Sequence, residues 1–215
     1  MGGRAPADSE ILSDLREEAG STVETGALRS RTRGLDQSSE RREVESVQRE
    51  TVCSRGDASE RTASGTLRLS LELASTSRST VVPIVFVAWA LQDADVVAEY
   101  LGSEALDEVR CHRLRISDSY ASSPDLASLA EFAVWDLWIA ETGDLPVRLA
   151  WDRRDAGGAA PRIAMATGWS DWRWVQGIRQ PFRVEIEFNG TPWRTLVVDD
   201  ARFDVGLTES DFAVE

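Results

Sequence analysis

Phe182-Arg-Val-Glu-Ile-Glu-Phe188 is the stretch that decides the fold. Apolar and charged residues alternate without a break. On a strand, Phe182, Val184, Ile186 and Phe188 therefore share one face, and Arg183, Glu185 and Glu187 the other. Val134-Trp-Asp-Leu-Trp-Ile139, Leu145-Pro-Val-Arg-Leu-Ala-Trp151 and Trp193-Arg-Thr-Leu-Val-Val198 also read as strands. Turn residues punctuate the region at Thr142-Gly-Asp144, Gly157-Gly158, Val175-Gln-Gly177 and Asn189-Gly-Thr-Pro192. The region Phe132–Val214 is thus a run of hairpin-linked strands, and the fold class is mainly antiparallel β.

Upstream the pattern thins. Between Thr25 and Leu73, Gly26–Arg33 and Arg42–Val52 each suit a strand, and Arg61–Ser70 suits a third, with turns at Gly34-Leu-Asp36 and Arg55-Gly-Asp57. Their apolar face is thin, which predicts outer strands of a meander with one wet side, disorder being the alternative for residues 36–60. Residues 1–24 are read as poorly ordered or as a short helix carrying Ile11, Leu12 and Leu15, capped by Asp8 or Ser9, ahead of one domain over residues 25–215. Ser77–Leu91 is rich in β-branched residues, yet Pro83 suits the first turn of a helix capped by Ser79 or Thr80. A short helix, apolar all round and lying against the sheet, is expected there. Val96–Gly102 and Arg110–Ile116 predict a hairpin over Asp107-Glu108, and Ser122–Ala130 a loop or single helical turn.

The chain has 215 residues and a net charge of −13, and all of its 24 basic residues are arginine. That balance argues against nucleic acid or an anionic membrane surface as the main partner, because phosphate binding needs surplus positive charge. Two cysteines, Cys53 and Cys111, make no disulfide framework; they pair in an oxidising compartment or remain two buried thiols. Met1-Gly-Gly-Arg-Ala-Pro6 leads into polar sequence without the apolar core of a secretory signal. The one long apolar run, Val81–Leu91, is shorter than the roughly 20 residues a spanning helix needs. A soluble chain that does not span a membrane is expected.

Catalytic constellations fail one by one. His112 shares a strand face with Leu114 and Ile116 while Cys111 points the other way, so the two neighbours form no dyad or metal pair. Gly168-Trp-Ser-Asp-Trp172 lacks the second glycine of a nucleophile elbow. Glu185 and Glu187 lie about 7 Å apart on one face, but beside Arg183 they read as a solvated ladder. The acidic residues of Asp199–Asp211 do not match a calcium loop. Seven of the eight tryptophans fall in the C-terminal region, where such clusters more often build core than a ligand platform. No enzyme, metal or cofactor is expected.

Three phrases together resemble the outer-membrane lipoprotein carrier (LolA-like) superfamily. They are Asp136-Leu-Trp-Ile-Ala-Glu-Thr-Gly-Asp-Leu-Pro-Val-Arg148, Trp169-Ser-Asp-Trp-Arg-Trp-Val-Gln-Gly-Ile-Arg-Gln-Pro-Phe182 and Leu196–Phe212. Departures are Asp204, where that family often has Asn, the extra Asp144, and residues 1–75, which match poorly. The resemblance implies an α+β fold: an open, curved half-barrel sheet with short helices over its concave face, and a hydrophobic cavity between them. It implies non-enzymatic binding of lipid or lipoprotein acyl chains in the periplasm or cell envelope. An envelope sensor or protein-interaction module on the same fold, with an envelope protein as partner, is the alternative. The helix around residues 77–91 becomes a lid. The cavity lining expected on this basis is Leu149, Trp151, Phe182, Val184, Ile186 and Phe188 from the sheet, with Val85, Phe86 and Trp89 from the lid.

Overall fold

The N-terminal segment, expected as a loose helix, is a strand deep inside the sheet. In the computed structural model β1 (Asp8–Ala19) pairs along its length with β2 (Thr22–Arg33) on one side and β13 (Thr191–Phe203) on the other. The structure describes residues 5–45, 47–54, 57–69, 80–153 and 162–214. Ile11 and Leu15 are four residues apart and suggest a helical face, but they share strand parity with Ser13 and Glu17. All four are buried. Ladders to two flanking strands satisfy the backbone of β1 over most of its length, which a short isolated helix cannot match.

The remaining strands are β3 (Gln37–Val44), β4 (Val47–Ser54), β5 (Asp57–Thr62), β6 (Gly65–Arg68), β7 (Val96–Leu106), β8 (Val109–Asp118), β9 (Val134–Ala140), β10 (Pro146–Arg153), β11 (Ile163–Val175) and β12 (Ile178–Phe188). All lie in one antiparallel sheet of order β6-β5-β4-β3-β2-β1-β13-β12-β11-β10-β9-β8-β7, curved and open rather than closed into a barrel. Arg42–Val52, read as one strand, is two: Glu45 takes a φ of 53° in the turn that returns Val47 against Val44. Arg61–Ser70 likewise splits, with Thr62 facing Gly65 across a tight turn. The hairpin over Asp107-Glu108 forms as expected, with both residues at positive φ. In place of a loop or single turn over Ser122–Ala130, a 3-10 segment runs from Pro124 to Phe132, past the end of that range. The expected turns at Arg55-Gly56 and Gly157-Gly158 lie outside the described residues.

α1 (Pro83–Ala90) is the expected short helix, with Pro83 in its first turn and no residue of it fully exposed. Its N-cap is Val82, whose side chain offers no hydrogen bond, rather than Thr80; Ser79 lies outside the described residues. Thr80 has another role. Its carbonyl accepts from Trp169 Nε1 at 2.9 Å, and the next carbonyl, of Val81, accepts from Gln180 Nε2 at 2.8 Å. Two buried donors on β11 and β12 thus seat the root of the helix on the inner face. Phe86 then meets Trp135 edge-on at 6.2 Å, and Trp89 Nε1 donates to the Pro6 carbonyl at 2.9 Å.

The outer face is held by arginine–carboxylate clusters. Glu10 accepts from Arg29 Nε and Arg31 Nε, both at 2.9 Å, and Asp136 from Arg113 Nη2 at 2.6 Å and Arg115 Nε at 2.9 Å. The 3-10 turn Glu209–Phe212 packs beside β3 and β4, buries Phe212, and places Asp211 3.7 Å from Arg31.

Two outcomes follow from this packing. A Cβ added at Gly26 meets the Glu43 carbonyl oxygen at 2.0 Å and Val44 Cγ2 at 2.9 Å, so β2 and β3 must separate to admit it. Gly26→Ala is expected to lower stability by about 1–3 kcal/mol; an unchanged denaturation midpoint contradicts that close approach. Burial alone would raise the Glu10 and Asp136 carboxyls, but hydrogen bonds and charge from Arg29 and Arg31, and from Arg115 and Arg113, hold both below the ordinary range. Both groups therefore stabilise the fold above their unfolded pKa, and that contribution fades as pH falls through the ordinary carboxylate range to the depressed folded values. Denaturant unfolding at a series of acidic pH values should show a shallower loss of stability in Asp136→Asn than in the parent. Parallel curves contradict the assignment.

Candidate functional site

A single cross-strand row shows how the inner face is built. Tyr100, Leu114, Leu137, Leu149, Thr167, Ile186, Arg194, Glu17 and Glu24 are successive Cα partners from β7 to β2. Partners across a ladder share a face. The row is largely apolar as far as Ile186 and charged from Arg194 onward. The next strands continue the charged half: Arg42 partners Arg49, and Glu40, Thr51 and Glu60 form a parallel row.

Where the two halves meet lies a cavity of about 470 Å³. Its apolar wall is Trp151, Met165, Ile186 and Trp193, with Leu69 at the end of a described segment. Its polar wall carries Glu17, Glu40, Glu60, Arg42, Arg49 and Arg194, and Arg153 joins them from β10. Glu17 is the centre of that wall. It accepts from Arg194 Nε at 2.9 Å and pairs with Arg42, which also reaches Glu24 at 3.0 Å. Arg194 extends to Glu40 at 3.5 Å and lies over the Trp193 ring at 4.5 Å. Arg49 is the loosest, 3.6 Å from Glu60 with a side chain 48% exposed. Two buried donors of the lining, Arg42 Nε and Trp151 Nε1, have no partner among the described residues.

The nine lining residues expected from sequence are not gathered in one place. Ile186 and Trp151 line the cavity. Val184, Leu149 and Val85 are dry core, each no more than 2% exposed, and Phe86 is buried against Trp135. Trp89 is half-buried and bonded to Pro6. Phe182 lies under the Arg173 guanidinium at 4.2 Å, and Phe188 sits at the hairpin end against Trp193 at 6.3 Å. The helix root and its sheet contacts thus fill the part of the inner face that sequence marked as cavity. Sequence reasoning missed the charged wall, because Glu40, Arg42, Arg49 and Glu60 alternate with polar residues and read as a solvated face. The available signal was Arg194, a charge at an inward position of an otherwise apolar strand.

The other candidates settle as structural groups. His112 Nδ1 meets Ser103 Oγ at 3.1 Å and Tyr100 OH at 3.3 Å, but no carboxylate orients the ring among the described residues. Arg183 pairs with Glu185 at 2.6 Å on the surface, and Glu187 with Arg148 at 2.6 Å. Trp135, Trp138 and Trp169 are buried, whereas Trp174 is 68% exposed. Cys53 and Cys111 are both buried, on β4 and β8, strands far apart in the sheet, and they form no disulfide with each other. No cluster of metal-ligating side chains occurs among the described residues, and no helix there is long and apolar enough to cross a membrane.

No protein-family model and no curated protein matches this sequence. Solved structures do. A LolA superfamily protein from Nitrosomonas europaea superposes with a TM-score of 0.63 at 13% identity, over 98% of this chain and 91% of that one. An outer-membrane lipoprotein-sorting protein domain from Vibrio parahaemolyticus gives 0.59 at 12% identity, over 96% and 89%. An open antiparallel sheet, a short helix seated on its inner face and these near-complete superpositions establish that the chain has the LolA-like fold.

Proposed function

We propose that this protein binds a lipid, or the acyl chains of a lipoprotein, in the inner-face cavity and carries it within the cell envelope without chemical change. The observation that carries this reading is the cavity itself. At about 470 Å³ it falls within the range of ligand pockets, and its wall of Trp151, Met165, Ile186 and Trp193 gives an alkyl chain a surface that water wets poorly. Each methylene buried there contributes about 0.8 kcal/mol, so several already give useful affinity. The likeness to a lipoprotein-sorting domain favours the same ligand class. Solvent extraction of protein purified under mild conditions, followed by mass spectrometry, should release a stoichiometric lipid or acylated fragment. A lipid-free protein that also ignores a fluorescent fatty-acid probe overturns the proposal.

A pair of substitutions separates cavity from core. Ile186→Glu places a carboxylate across the ladder from Arg194, at the edge of the polar wall, so the sheet should stay folded while acyl binding is lost. Val184→Glu, between Trp169 and Leu196 at 0% exposure, finds no such partner and should lose roughly 3–5 kcal/mol of stability. If Ile186→Glu unfolds as readily as Val184→Glu, that wall is dry core and the reading fails.

The second reading, a protein-interaction module, is favoured by β7. It is an edge strand of the sheet that exposes Val97, Tyr100 and Leu101, the geometry that accepts an added strand.

A further inference from the structure

We propose that β7 is a docking strand for a basic extended peptide, which adds to the free edge of the sheet and sets an arginine or lysine opposite Glu99. This rests on the edge-strand reading above and is independent of acyl binding. The sheet has two edges, and they differ. β6 is four residues long and ends in Arg68, the short and charged form in which an edge resists pairing. β7 runs for 11 residues with neither Lys nor Pro, and among the described residues it pairs with β8 alone. Alternate residues of such a strand turn their N–H and C=O groups outward, where an added strand satisfies them. A bulge at Leu101, where Gly102 takes a φ of 113°, shifts the register, so the pairing segment is Val96–Tyr100. Val97 and Tyr100, exposed on opposite faces of that segment, offer apolar surface to the side chains of the added strand.

Charge names the partner. Between residues 93 and 108 the sequence carries Asp93, Asp95, Glu99, Glu104, Asp107 and Glu108, and no basic residue. The arginines of β8 do not neutralise them all. Arg113 and Arg115 hold Asp136, at 2.6 and 2.9 Å, and Arg110 lies 3.8 Å from Glu141. Arg113 also reaches Glu104, at 3.5 Å. Asp93 accepts from the Asp95 amide, and Asp95 from the Ser122 amide. Glu99, across the ladder from Arg115, and Asp107 and Glu108 in the turn are left without an ion pair among the described residues. A second copy of this chain would set β7 against β7 and bring acid to acid, so the complementary strand is a basic one.

Fluorescence anisotropy on the full chain at low salt tests this with three labelled peptides of about eight residues, within the ordinary range of a strand. One alternates valine with arginine and one valine with glutamate. The third is the arginine peptide with alternate amides N-methylated, which keeps the charge and loses ladder donors. The arginine peptide should bind about tenfold or more tightly than either of the others. Glu99→Gln, on an exposed side chain, should weaken the arginine peptide severalfold while leaving affinity for a fluorescent fatty acid unchanged. Hydrogen exchange should slow at Val96–Tyr100 in the complex. Equal binding of the N-methylated peptide traces the attraction to the acidic chain as a whole and overturns the proposal, as does protection confined to other strands. A dimer in sedimentation that protects the same amides makes the occupant a second copy and overturns it too. Each of these failures leaves acyl binding standing, which the fatty-acid probe reads separately.

Discussion

Glu17 is the constraint on which the inner face depends. Its carboxylate lies on β1, near the middle of the sheet, and holds one guanidinium from β3 and another from β13. Removing three charged groups from water is costly, and such a cluster persists only where each charge is compensated. Held to one another, Glu17, Arg42 and Arg194 are unable to collapse onto Ile186 and Met165, which meet no apolar partner on the polar wall among the described residues. The space between the two walls stays open for that reason.

The helix limits the cavity from the other direction. Trp169 and Gln180 fix two successive carbonyls ahead of α1, so the helix is seated at a defined place on β11 and β12 rather than free to slide. Val85 of the helix, and Leu149 and Val184 on the sheet's inner face, are excluded from solvent. A ligand therefore meets a short apolar wall beside a charged one, and the dry core behind that wall supplies the rigidity that keeps it in shape.

Much of the fold was legible in the sequence. The strict alternation of Phe182–Phe188 and its neighbours led to antiparallel hairpins, and Pro83 within a β-branched run marked the helix start. What misled was the N-terminal half. Ile11 and Leu15 fit a helical spacing as well as an alternating one, and only the ladders to β2 and β13 decide between them. The candidate site was legible only in part. Inward-facing apolar residues were identified, but periodicity does not separate those pressed under a helix from those lining a void. Ile186 and Val184 look alike in sequence and differ because one lies beside Arg194 and the other under the helix side of the sheet. The polar wall was concealed by the rule that charged residues on a strand face water. Here they face inward, and each is compensated by a charge from a neighbouring strand, information that lies between segments and not within any of them.

Acyl binding at the boundary between the two walls is tested most directly by locating the bound chain. A palmitate analogue carrying a diazirine near its tail, photolysed in complex and mapped by peptide mass spectrometry, should label Trp151, Met165, Ile186 or Trp193, and excess unlabelled palmitate should suppress the label. Labelling confined to the outer face, or insensitive to competing palmitate, contradicts the account.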